Sequence, residues 1–94
     1  MKITGLIWLD DIVEKLHRKH NVVPAEVHEV FDNRPQFRFA EKGHRPGENV
    51  YFACGQTDEG RYLIVFFVYK KDRWVLILSA RDMTRAERRK YERK

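Results

Sequence analysis

Six side chains in this sequence are of types that could together act on a phosphodiester: Lys19, His20, Arg61, Arg81, Glu87 and Arg88. A histidine can take or give a proton near neutral pH. An arginine presents a planar fork that matches two phosphate oxygens. Such groups can cut RNA without a metal, because the ribose 2′-hydroxyl can itself attack the neighbouring phosphate. The protein must then supply a base for that hydroxyl, a donor for the leaving 5′-oxygen, and cations for the charge developing on phosphorus. Each residue also has a plainer structural reading: Lys19 solvated, His20 partly packed, Arg61 a turn residue, Glu87 only a helix cap.

Other chemistries find less support. The chain has no glycine-rich phosphate loop, no Cys-x-x-Cys and no Gly-x-Ser-x-Gly elbow. His28-Glu29-Val30-Phe31-Asp32 departs from a zinc-protease helix at Asp32, where a second histidine is required. His17 and His20 lie one helical turn apart, and with His44 they make a weaker metal-hydrolase alternative. The reading adopted uses no metal and no cofactor. Cys54 is the only cysteine, which excludes an internal disulfide and suits a buried, inert thiol.

The elements that would position these groups follow from the pattern. Arg61–Arg81 reads as a hairpin near the middle of a sheet, with strands Tyr62–Tyr69 and Trp74–Leu78 around the charged turn Lys70–Arg73. Arg61 and Arg81 begin and end it, so they should lie at the same end of the sheet, where they could share one phosphate. The turn should lie at the other end. Upstream, Lys2–Trp8 suits a first strand. Leu9, Ile12, Val13, Leu16 and His20 then recur at helical spacing, with acids in the first turn and bases in the last.

Asn21 suits a left-handed helix end, and Pro24–Phe31 makes a second, shorter helix that starts on a proline. Gln36–Lys42 alternates, with Phe37, Phe39 and Glu41 on one face. Gly43–Asn49 is a loop, Val50–Gln56 a strand, and Thr57–Gly60 a turn in which Gly60 takes positive φ. Thr84-x-x-Glu87 is a capping box that starts a basic helix, with Ala86 and Tyr91 to offer the sheet. The order is β–αα–β–β–β–β–α. The 94 residues read as one small α+β domain with a mostly antiparallel sheet, a helical hairpin packed on it and a C-terminal helix.

The net charge is +5, and it is local. Gly60–Arg73 and Asp82–Lys94 each carry a net +3, leaving the remainder slightly acidic. That suits a polyanion or an acidic protein partner. No signal peptide is expected, because the N-terminus reaches Asp10 and Asp11 before any apolar stretch of useful length. The longest apolar run is less than half of the ~20 residues a membrane helix needs, so no membrane role and a cytoplasmic location are expected.

Across nearly its whole length the chain resembles the BrnT family of ribonuclease toxins, which belong to bacterial type II toxin–antitoxin systems and have a RelE-like fold. The likeness is carried by Trp8, Lys19-His20-x-Val22, Glu26-Val27, Val30-Phe31, Gly55 and Gly60-Arg61. It continues through Leu63–Val65, Leu78-Ser79-Ala80-Arg81, Met83-Thr84, Glu87-Arg88 and Tyr91. The resemblance implies an endoribonuclease that cuts RNA, mRNA above all, and inhibits translation. By position it carries over Lys19, His20, Arg61, Arg81 and Glu87 as active-site residues; we expect His20, Arg61, Arg81 and Glu87 to act in catalysis, and Lys19 and Arg88 to bind substrate. It also implies a ribbon–helix–helix antitoxin (BrnA-like) that covers the active surface and alone binds operator DNA. The chain departs from the family at Leu9, Ile12 and Leu16, where aspartate, lysine and asparagine are usual, and at Asn21, where glycine is. Those positions either serve packing or mark a site that binds without cutting.

Overall fold

The computed structural model describes residues 1–93. The elements are β1 (Gly5–Ile7), α1 (Asp10–His20), α2 (Pro24–Asp32), β2 (Gln36–Glu41), β3 (Val50–Gln56), β4 (Tyr62–Tyr69), β5 (Trp74–Asp82) and α3 (Arg85–Glu92). They form one five-stranded sheet in the order β1-β5-β4-β3-β2. Only β1 against β5 is parallel, so the expected α+β class and element order are those found. No described helix is long and apolar enough to cross a membrane.

The uninterrupted apolar run of β4 reflects its place at the centre of the sheet, covered on both faces. Leu63, Val65 and Phe67 point to the helical hairpin, where Leu16 of α1, Val27 and Val30 of α2, and Val22 between them complete the main core. Leu16 is 1% exposed, a burial that contributes about 2 kcal/mol. On the other face Ile64 meets Cys54 and Tyr91, with Phe52, Tyr62, Phe66 and Met83 around them. Tyr91 thus anchors α3 to the sheet. Ala86, expected to help, is exposed, and Met83 takes that role.

The turns that join these strands follow their residue types. Asn21 ends α1 at φ 53°, and Gly60 turns the chain at φ 89°. Thr57, itself buried, receives the Arg61 N–H on its hydroxyl at 3.0 Å. At the far end of the hairpin the Lys70–Arg73 turn closes through Arg73 N–H to Lys70 O, 2.9 Å.

Two bulges correct the expected faces. Phe39 pairs with Tyr51 but Glu41 pairs with Val50, so Ala40 is the extra residue and Glu41 leaves the face of Phe37 and Phe39. In the hairpin, Phe66 pairs with Ser79 and Phe67 with Ile77, which makes Leu78 the extra residue. β5 also continues to Asp82, beyond the expected Leu78, while β1 is shorter than Lys2–Trp8.

Candidate active site

Arg61 sits just before β4 and faces the helical hairpin. All five of its N–H groups have acceptors within the chain. Its Nε donates to Asp82 Oδ1 at 2.8 Å and its Nη2 to Asp82 Oδ2 at 3.2 Å. Nη2 also donates to His20 O at 2.9 Å, and Nη1 to Asn21 O at 2.8 Å and to the Glu26 carboxylate at 3.1 and 3.2 Å. The two carbonyls belong to the C-terminal end of α1, which lacks intrahelical donors and favours a cation. Glu26 also accepts the Val23 N–H at the start of α2, at 3.2 Å. Arg61 therefore ties α1, α2 and β5 together. Asp82 holds the guanidinium well above its ordinary pKa, burial opposes this, and Glu26 adds to it. The Asp82 carboxyl is lowered in turn, by the Arg61 hydrogen bond first and also by the nearby His20 ring.

Arg81 lies at the same end of the sheet but on the opposite face. It pairs with Ile64, whereas Asp82 pairs with Leu63 on the helical-hairpin side. The expected sharing of one phosphate by both arginines from one face is therefore not what the pleat allows. Arg81 makes a two-pronged pair with Glu87, Nη1–Oε1 2.7 Å and Nη2–Oε2 2.9 Å, and its guanidinium lies 5.7 Å from the centroid of the Phe66 ring. Nη1 also donates to Asp82 O at 3.1 Å. Its Nε–H and one Nη2–H have no acceptor among the described residues, so Arg81 keeps donors that Arg61 lacks.

Glu87 is held from two sides. It pairs with Arg81 and accepts the Thr84 N–H at 2.8 Å, while Thr84 Oγ1 accepts the Glu87 N–H at 3.1 Å. The expected capping box is present, and the Arg81 hydrogen bond, opposed by burial and helped by Thr84, lowers the Glu87 carboxyl to about 2. Cys54 shares this face. Burial first, and Glu87 second, push its thiol up to about 11, against the pull of Arg38 and Arg81. It is a packing residue.

The other candidates divide between the two faces. Lys19 is exposed and His20 half-buried at the end of α1, on the Arg61 side. Arg88 lies on α3 with its guanidinium 3.9 Å from the Tyr62 ring centroid and pairs with Glu92 at 3.6 Å. No three His, Cys, Asp or Glu side chains among the described residues gather as a metal would need, so His17, His20 and His44 form no such cluster. Beside the Arg81–Glu87 pair runs a groove of about 640 Å³, lined by Phe52, Phe66 and Cys54 from the sheet, Arg38 from β2, and Glu87 and Lys90 from α3.

Asp82 and Glu26 were missed as Arg61 partners. Asp82 adjoins Arg81 in sequence, and strict alternation of a strand extended past Leu78 would have turned it away from Arg61; the extra residue Leu78 reverses that.

A five-stranded sheet carrying a helical hairpin on one face, with an arginine–glutamate pair and a basic helix on the other, defines a class of small α+β domains. The crystal structure of the Brucella abortus ribonuclease toxin BrnT has this fold: it aligns with a TM-score of 0.60 over 89% of this chain and 100% of that one, at 13% identity. The family described as "Ribonuclease toxin, BrnT, of type II toxin-antitoxin system" matches residues 8–87. The chain belongs to the BrnT family. No curated protein matches it.

Proposed function

We propose that this chain is the toxin of a type II toxin–antitoxin system and a metal-independent endoribonuclease that cuts mRNA in the cytoplasm and so inhibits translation. The observation that carries this reading is the pair of unengaged donors on Arg81, fixed by Glu87 beside a basic helix. Arg81 stabilises the charge that develops on phosphorus, and Glu87 holds its fork in place. Lys19 and Arg88 hold the RNA backbone from either side of the strand end. His20 transfers protons from its place next to Asp82, which directly follows Arg81 in β5. Arg61 has no free N–H for a phosphate, so its role is positioning: it holds the end of α1 that carries Lys19 and His20.

Expression of the wild type should arrest growth and degrade RNA, and Arg81→Ala should lower cleavage about a hundredfold or more. Cleavage in vitro should persist with a chelator present. Equal, harmless expression of both proteins would end this reading. His20→Ala separates the roles further: full activity in that variant would move proton transfer to Glu87.

The partner proposed is a small ribbon–helix–helix antitoxin (BrnA-like) that covers the Arg81 face and alone contacts operator DNA. The basic surface of α3 suits an acidic segment of it. A reading frame for such a protein beside this one, and a co-purified complex, would support it; a toxin that purifies alone from cells expressing both would not.

A second reading has its own observation. Leu16, at a position where the family usually has asparagine, is fully buried in the core. That helix face serves packing, as a domain that binds RNA or antitoxin without cutting would allow. RNA retention that weakens steeply with salt, without cleavage at high protein concentration, would favour it.

A further inference from the structure

We propose that the groove between β2, β3 and α3 seats an unstacked base of single-stranded RNA. Its placement beside the scissile phosphate rests on the reading of Arg81 given above. Phe52 and Phe66 pair directly across β3 and β4, with ring centroids 5.9 Å apart, and line the groove together with Phe39 and Tyr91. Phe66 also lies under the Arg81 guanidinium, so one ring joins the cation to the groove.

The rim is cationic. Lys90 is exposed with no side-chain partner among the described residues, and Arg38 uses only Nη1, on Phe37 O at 2.9 Å. The Glu87 carboxylate, the one acid lining the groove, is already engaged. Aromatic rings flanked by free cations are the elements by which proteins hold single strands: bases stack on the rings and phosphates meet the charges. Paired bases in a duplex expose edges and backbone but not their faces, so a duplex cannot use the rings. Stacking accepts every base, so this groove selects for strandedness more than for sequence.

The test is binding of the full chain to a labelled 2′-O-methyl RNA of about eight nucleotides, a length in the range such surfaces cover, followed by fluorescence anisotropy. Phe52→Leu should weaken binding about tenfold. The Arg38→Ala/Lys90→Ala double variant should lower the slope of log affinity against log salt by about two. The same strand annealed to its complement should bind more weakly than alone. A folded Phe52→Leu protein that binds like the wild type, or a duplex that binds equally well, would overturn the proposal. Should Phe52→Leu fail to fold, the exposed double variant decides, and an unchanged affinity and slope would reject it. Loss of antitoxin binding with RNA binding intact would assign the groove to protein instead. A wild type that binds but never cuts would remove the Arg81 reading and leave the groove standing.

Discussion

Arg61 and Arg81 stand at the same end of one hairpin and point to opposite faces of the sheet. Arg61 reaches Asp82, Glu26 and the last carbonyls of α1, whereas Arg81 meets Glu87 and the Phe66 ring. One guanidinium is fully engaged in holding elements together, and the other is half free.

This asymmetry separates stability from activity. Arg61→Ala leaves Glu26, 24% exposed, and two helix-end carbonyls without their donor. It should cost about 3 kcal/mol, because one loss strands a half-buried carboxylate and two carbonyls together. Arg61→Lys should recover little, because an ammonium has three donors and no fork. Arg81→Ala should cost less, about 1 to 2 kcal/mol, since it strands one carboxylate that the Thr84 N–H still holds. Urea denaturation of the three variants beside RNA cleavage checks this; equal losses of stability from Arg61→Ala and Arg81→Ala would contradict it.

The Glu87 carboxyl gives a pH dependence with a definite sign. Its pKa falls from the ordinary 4.5 to about 2 in the folded chain, so folding favours the ionised form. The stabilisation is therefore complete above pH 4.5 and lost as pH falls toward 2. Its size should be on the order of 2 kcal/mol, less than the full shift implies because water reaches the pair. Thermal melting from pH 6 downward should show a decline that Glu87→Gln reduces, since the amide does not titrate. A variant that declines as steeply as the wild type would place the effect elsewhere.

Leu78 explains why the two faces differ. Strict alternation from Val75 and Ile77 would carry Ser79 and Arg81 to the helical-hairpin face, beside Arg61. With Leu78 as an extra residue, Ala80 takes the buried position and Arg81 turns to α3. A one-residue deletion inside a strand ordinarily reverses every later side chain. Deletion of Leu78 should not, because it leaves Arg81 opposite Ile64 in a regular ladder. The expected cost is within about 2 kcal/mol, for the loss of one half-buried leucine, with the Arg81–Glu87 pair retained. A much larger loss would show that the bulge itself is required.

Much of the fold was legible because its signals are local. The apolar run of Tyr62–Tyr69, the helical period from Leu9 to His20, and the Thr84–Glu87 box each specify an element within a few residues. The site was less legible for the same reason. Arg61's partners lie at Glu26 and Asp82, and no local pattern links three such distant positions. A bulge leaves no signature in an apolar strand either, so the face of Arg81 could not be read from alternation. The end of α1 was correctly marked by Lys19, His20 and Asn21, but the residue that holds it comes from the hairpin.

Asn21, Leu9 and Leu16 have separate physical meanings in α1, and variants can distinguish them. Asn21 adopts φ 53°, a conformation glycine supplies more easily, so the local geometry is kept. Leu9 is the N-cap of α1, with extended backbone, no side-chain cap and 47% exposure. Leu9→Asp should therefore stabilise by about 1 kcal/mol, by accepting a first-turn N–H and favouring the helix dipole. Leu16 is the opposite case. Leu16→Asn places an amide in a fully apolar core and removes packing, which should cost about 3 kcal/mol or more. Chemical denaturation of both variants gives the comparison. A well-tolerated Leu16→Asn would mean that α1 can turn this face toward water.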